Sequence, residues 1–185
     1  MKPILFLDFD RTLFNTGLFY EWLGEDEPER VACLLSGNIP SPDFSAMLYS
    51  DARDFLEQMK DGYSVVLLTY STRTTLQELK IRESGVLPFL DEVIITQKEK
   101  GSAMREYLDK AGSASAEDRK CVFLDDELMN IHHVKATTPN VFCVQINRGD
   151  LGDSLLPVDV PGAIIPDAVV SDLSEFARLL SAPRP

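Results

Sequence analysis

Cysteine, histidine and tryptophan are scarce in this chain of 185 residues, at three, two and one copies. The cysteines, Cys33, Cys121 and Cys143, are widely spaced and form no Cys-x-x-Cys pair, which excludes a zinc knuckle and a redox dithiol. Unpaired thiols suit a reducing compartment. Cys121 and Cys143 lie inside apolar runs and read as small buried hydrophobes. Basic residues are also in deficit, 18 Lys+Arg against 30 Asp+Glu, for a formal net charge of −12. That balance excludes a general DNA or RNA binder, which needs a basic face for the phosphates, and docking on anionic membrane. No apolar run approaches the roughly 18 residues of a membrane span. The non-polar stretch before Asp8 is too short for a signal-peptide core. A cytoplasmic protein is expected. A small phosphorylated ligand remains admissible, because one site needs only a few local cations.

The length admits one domain with a sizeable core, residues 1–185, and is short for two. With 44% hydrophobic and 26% charged residues the composition is globular. Short solid apolar runs stand out: Ile4–Leu7, Val65–Leu68, Val93–Ile95, Val122–Leu124 and Val141–Val144. They do not alternate with polar residues, as expected of strands buried on both faces of a parallel sheet. Helical patterns lie between them. Phe55, Leu56 and Met59 form one stripe ending near Gly62, and Leu76 and Leu79 another before Gly85. Met104, Tyr107, Leu108 and Ala111 precede Gly112, Ile131 and Val134 follow, and Leu173, Phe176, Ala177 and Leu180 come last with Ser171 as N-cap. Alternation of strand and helix predicts an α/β fold with a mostly parallel sheet. Residues 15–50 interrupt the rhythm and predict a small insert over one end of the sheet. It holds a short helix through Leu18–Leu23, a second with Pro28 in its first turn, and a loop from Ser36 to Asp43. Residues 181–185 are expected to fray.

Three of the runs end in polar groups: Leu7-Asp8-Phe9-Asp10, Leu68-Thr69 and Leu124-Asp125-Asp126. In an open parallel sheet the ligand crevice lies beyond the carboxyl ends of the strands, so these groups should converge. Two unit charges about 4 Å apart repel by roughly 4 kcal/mol at an effective dielectric near 20. Such a cluster needs a cation or protonation. All-oxygen donors suit a hard ion, and Mg²⁺ is usual where a phosphate shares the coordination sphere. Lys100, with Lys98 close by, opens the helix that carries Met104 and can reach back to the crevice. Singly, each fragment reads as turn chemistry or first-turn charge; the ordered set is the signal.

That set, Asp8-Phe9-Asp10-Arg11-Thr12-Leu13, Leu67-Leu68-Thr69, Lys100-Gly101 and Asp125-Asp126-Glu127-Leu128-Met129-Asn130, resembles the haloacid dehalogenase-like hydrolase superfamily over residues 3–180, and most of all its small magnesium-dependent phosphatases with little or no cap. The resemblance implies a Rossmann-like three-layer sandwich with a flap after the first strand. It implies Asp8 as nucleophile and Asp10 as general acid and base. Thr69 and Lys100 would hold phosphoryl oxygens. Mg²⁺ would lie between Asp8, the main-chain carbonyl of Asp10 and Asp126, supported by Asp125 and Asn130. The substrate would be a small phosphorylated metabolite or a phosphorylated side chain; a phosphotransferase or phosphomutase, or a binding protein without turnover, are the alternatives. Two positions depart from the pattern. Arg11 stands where Gly is common, and Asn130 where many relatives have Asp, which removes a negative charge from the metal site. A phospho-receiver domain is disfavoured because its acidic pair precedes the phospho-acceptor, whereas here it comes last. No P-loop sequence occurs. His132 and His133 point about 100° apart on a helix and do not form a two-ligand face. Phe19, Tyr20 and Trp22 read equally as core or substrate mouth. Arg73 and the acidic stretch Glu25–Glu29 read as solvated surface.

Overall fold

A computed structural model of the chain describes residues 2–110, 120–149 and 165–181. Its strands are β1 (Ile4–Leu7), β2 (Ser64–Tyr70), β3 (Glu92–Thr96), β4 (Cys121–Asp125), β5 (Phe142–Ile146) and β6 (Ala168–Val170). All pair in parallel, in the order β3-β2-β1-β4-β5-β6. The helices are α1 (Thr16–Leu23), α2 (Glu27–Leu35), α3 (Ala52–Met59), α4 (Thr74–Ser84), α5 (Lys100–Lys110), α6 (Leu128–Thr137) and α7 (Leu173–Ser181). This is the expected α/β three-layer sandwich.

The unbroken apolar runs explain the layering. Side chains alternate across a strand, so Leu5 and Leu7 enter one core with Phe55, Leu56, Leu76, Ile81 and Phe176 of α3, α4 and α7. Ile4 and Phe6 enter the other, with Met104 and Leu108 of α5 and Ile131 and Val134 of α6. Each large side chain so buried contributes roughly 1.5–3 kcal/mol. β3 departs from expectation. It lies at the sheet edge, and Val93, Ile94 and Ile95 are half-buried rather than enclosed on both faces. β6 carries no long apolar run and has no counterpart in the sequence pattern; it is three residues long. The cap of α7 falls on Asp172, whose Oδ1 accepts from the Glu175 N–H at 2.7 Å, while Ser171 is engaged by the Glu175 carboxylate. The expected helix end at Ala111 and Gly112, and residues 182–185 of the expected frayed tail, lie outside the described residues.

Two features position the site. From β1 the chain winds outward through β2 and β3, then returns to β4 on the other side of β1. The winding direction reverses there, which opens a crevice beyond the carboxyl ends of β1 and β4. The insert supplies α1, α2 and a single 3-10 turn at Phe44–Met47. Phe14, Phe19 and Phe44 gather at its base, with ring centroids 5.8–6.4 Å apart. Among the described residues no helix is long and apolar enough to cross a membrane.

Candidate active site

Asp8 extends β1 by one residue, its N–H donating to Leu124 O at 3.0 Å. The chain then turns on the Phe9 carbonyl, which accepts from the N–H groups of Leu13 and Phe14, both at 2.9 Å. The turn puts Arg11 at φ +60°, in the left-handed region. For a residue with a Cβ that conformation costs about 1 kcal/mol, which a glycine would avoid. A clamp holds the turn from behind. Arg148 donates to Thr12 O at 2.7 and 3.1 Å, pairs with Asp51 at 3.0 and 3.2 Å, and lies 3.8 Å over the Tyr49 ring. Asp51 also accepts from the Leu173 N–H at 2.8 Å, so the clamp ties the turn to α7.

Lys100 opens α5 and is 2% exposed. Its Nζ donates to Asp8 and, at 2.6 Å, to Asp125. Close helix packing brings it there. A Cβ on Gly101 would stand 2.4 Å from His133 O and 2.5 Å from Thr137 Oγ1, so only glycine lets α5 seat against α6 at this depth. Lys98 stays at the surface, pairs with Glu106 at 2.7 Å and does not line the cavity that Lys100 lines. Asp125 is fully buried, and both its oxygens are committed, to the Glu127 N–H at 2.9 Å, Asn130 Nδ2 at 3.0 and 3.3 Å, and Lys100. Asp126 is freer; its closest cation is Arg11, at 4.0 Å. Asp8, Asp125 and Asp126 each place a carboxylate oxygen within 4.8 Å of the others.

Burial is the first influence on these groups. It drives Asp8 well above the ordinary carboxylate range, against the pull of Lys100 and with help from Asp125 and Asp126. It pushes Asp126 up to about 7, aided by Asp125. Lys100 is driven downward by burial, but the carboxylates of Asp125 and Asp8 outweigh this and it stays firmly charged. Asp10 behaves oppositely to Asp8. Burial lifts it, yet Lys80, Gln77 and Thr16 outweigh burial and hold it below the ordinary value. Thr69 ends the buried part of β2 and accepts from Gln77 Nε2 at 3.0 Å.

Asp8, Asp10, Thr69, Lys100, Asp126 and Asn130 all line one open cavity of about 500 Å³. The insert closes its side through Thr16, Phe19, Tyr20 and Glu27. Phe19 therefore serves both core and cavity wall, Tyr20 is exposed at the mouth, and Trp22 stacks on Phe19 beneath Arg30. Arg73 is exposed at the start of α4, and it also lines the cavity and pairs with Glu27, so the acidic stretch is not wholly solvated surface. His132 and His133 lie outside the cavity, His133 at 3.6 Å from Glu99. Gln77 and Lys80, which line the cavity and hold Asp10, are the residues that motif reading missed. Their signal was faint: two polar residues on the face of α4 that also carries Leu76 and Ile81.

No family model and no curated protein matches the sequence. Solved structures do. The HAD-hydrolase YfnB of Bacillus subtilis, bound to magnesium, aligns over 98% of this chain and 99% of its own at 16% identity, with a TM-score of 0.66. A HAD phosphatase from Thermococcus onnurineus aligns over all of both chains at 21% identity and a TM-score of 0.63. The L-2-haloacid dehalogenase of Xanthobacter autotrophicus, with chloropropionic acid covalently bound, does so at 16% and 0.65. The chain has the fold of the haloacid dehalogenase-like hydrolases.

Proposed function

We propose that the chain is a Mg²⁺-dependent phosphatase that hydrolyses a phosphate monoester through an aspartyl-phosphate on Asp8. One observation carries this reading: a second carboxylate, Asp10, lines the same cavity as the nucleophile candidate and its lysine. A halide leaves without a proton, so dehalogenation has no use for Asp10, whereas an alkoxide leaving group needs one.

The donor set fits the metal. Three carboxylates supply oxygens only, the choice of a hard ion. Asp125 is already saturated by Lys100, Asn130 and Glu127, so Asp8, Asp126 and the Asp10 carbonyl would hold the ion, and Asp125 and Asn130 would support it. When bound, Mg²⁺ supplies charge neutralisation between substrate and carboxylates.

The chain's own residues account for the rest. An Asp8 oxygen attacks phosphorus, the bond from phosphorus to the leaving oxygen breaks, and Asp10 gives that oxygen a proton. Asp10 then takes a proton from water as the water oxygen attacks phosphorus and the bond to Asp8 breaks, which restores the Asp8 carboxylate and returns Asp10 to the protonated form in which it served as the acid. Lys100 and Thr69 bind phosphoryl oxygens, and Lys100 offsets the charge that develops on them. The open mouth suits a small phosphorylated metabolite or a phosphorylated side chain. Free thiols at Cys33 and Cys143 fit a cytoplasmic setting, with the Cys143 thiol pushed by burial up to about 12 and so inert.

The test is hydrolysis of 4-nitrophenyl phosphate with Mg²⁺ and with chelator, wild type beside Asp8→Asn. Turnover that needs Mg²⁺ and is lost in the folded variant is expected. Substantial turnover by Asp8→Asn refutes the nucleophile. Silence from both proteins, together with failure of Mg²⁺-dependent beryllium fluoride trapping, points to a binding protein on this fold.

A further inference from the structure

Asp10 is held more tightly than its task as a proton carrier explains. Thr16 Oγ1, in the first turn of α1, donates to Oδ1 at 2.8 Å. Gln77 Nε2 donates to Oδ2 at 2.6 Å, and Lys80 Nζ donates to Oδ1. Gln77 and Lys80 stand one turn apart on α4 and bond each other at 3.1 Å. Gln77 also reaches Thr69 Oγ1 at 3.0 Å. One helix thereby grips the acid-base carboxylate and the phosphate-binding threonine together.

Lys80 is the unexpected member. It is 4% exposed, and its Nζ lies 5.0–5.6 Å from the ring centroids of Phe9, Phe14 and Phe19. A leucine or methionine would pack among those rings without the desolvation that an ammonium suffers, and a buried ion pair is a poor route to stability against such a replacement.

We propose that Lys80 is a positioning residue for the reaction: with Gln77 it fixes the Asp10 carboxylate beside the leaving oxygen and, later, beside the attacking water. The assignment rests on the phosphatase reading and adds a residue to it. Lys80→Met keeps length and packing but frees Asp10 Oδ1 from its ammonium. Two kinds of ester then separate. An alkyl phosphate needs Asp10 in both half-reactions, because its alkoxide must be protonated. A 4-nitrophenyl ester needs it only in the second, because nitrophenolate leaves unaided.

The experiment compares wild type, Lys80→Met and Lys80→Arg, all with Mg²⁺, on 4-nitrophenyl phosphate and an alkyl phosphate, and measures radiolabelled phosphoenzyme at steady state. Expected for Lys80→Met is KM within about twofold of wild type and kcat lower by roughly 10- to 100-fold, a share of the 10²–10⁴ that general acid–base catalysis supplies. The alkyl ester should lose more than the nitrophenyl ester. Phosphoenzyme should accumulate with the nitrophenyl ester, and Lys80→Arg should recover most of the rate. A purely structural lysine would lower both esters alike, through the folded fraction, and leave the phosphoenzyme level unchanged; that result overturns the proposal while the phosphatase stands. A wild type that hydrolyses neither ester and never labels Asp8 removes the phosphatase reading and this proposal with it. Where Lys80→Met fails to fold, Gln77→Leu strips the donor from Oδ2, and the same split between esters is required.

Discussion

Gly101→Ala tests how packing between two helices delivers Lys100 to the cavity. The added Cβ would meet His133 O at 2.4 Å, Thr137 Oγ1 at 2.5 Å and the His133 carbonyl carbon at 2.7 Å. Ordinary contact begins at 3.4 Å, so α5 must retreat from α6 by about 1 Å. Thr137 has little freedom to yield, because its hydroxyl is bonded to His133 O at 2.9 Å, and backbone yields less. Overpacking of this kind costs about 1–3 kcal/mol, which for a chain of this size lowers Tm by roughly 2–12 °C. The displacement falls one residue from Lys100, whose ammonium joins Asp8 to Asp125. An error of about 1 Å at a catalytic group costs up to roughly 100-fold in rate. Thermal melts and kcat for Gly101→Ala, beside Ser102→Ala as a control on the same turn, measure both effects. An alanine variant with wild-type Tm and wild-type kcat would show that the close approach is not what seats Lys100.

Two further outcomes are expected. Arg148→Met leaves Asp51 without its guanidinium and Thr12 O without two donors; breaking a largely buried pair should cost about 3 kcal/mol by urea denaturation, and a loss below about 1 kcal/mol would mean the clamp is ornamental. The metal-free protein should lose stability as pH rises from 4 towards 7, because burial holds Asp126 at about 7 when folded against 3.8 ordinarily, so the folded state binds the extra proton across that window. Mg²⁺ needs the carboxylate and would release that proton, so its increase in Tm should be larger at pH 8 than at pH 6; equal increases in a fluorescence melt would refute the link.

Much of the architecture was legible because burial on both faces leaves a direct mark. β1, β2 and β4 read as unbroken apolar runs, and their polar ends named Asp8, Thr69 and Asp125 as groups that should converge. β3 looked equally enclosed, since apolarity alone does not distinguish an edge strand with one solvated side from a central one. β6 was illegible because three residues paired at an edge need no apolar run. Within the site, the sequence placed Asp8 and Asp10 together at the end of one strand, yet it could not show that their environments diverge. Asp8 faces Lys100 across the sheet, 92 residues away, while Asp10 is claimed by Gln77 and Lys80 of α4.

That divergence is where fold and chemistry meet. Two carboxylates two residues apart would titrate almost alike in an unfolded chain. The fold hands each its own lysine from a different helix, and burial without full compensation raises Asp8 while three donors lower Asp10. Asp8 is left short of charge compensation and so favours a further cation at its side. Asp10 is complete in itself, held to α1 and α4 rather than to the acidic cluster. The acidic pair at the end of β4 then divides the same way: Asp125 is spent on fixing Lys100, and Asp126 is left facing the cavity. Asp8 and Asp126, the two carboxylates left without full compensation, line the same cavity, where a bound cation would relieve the repulsion that protonation otherwise relieves.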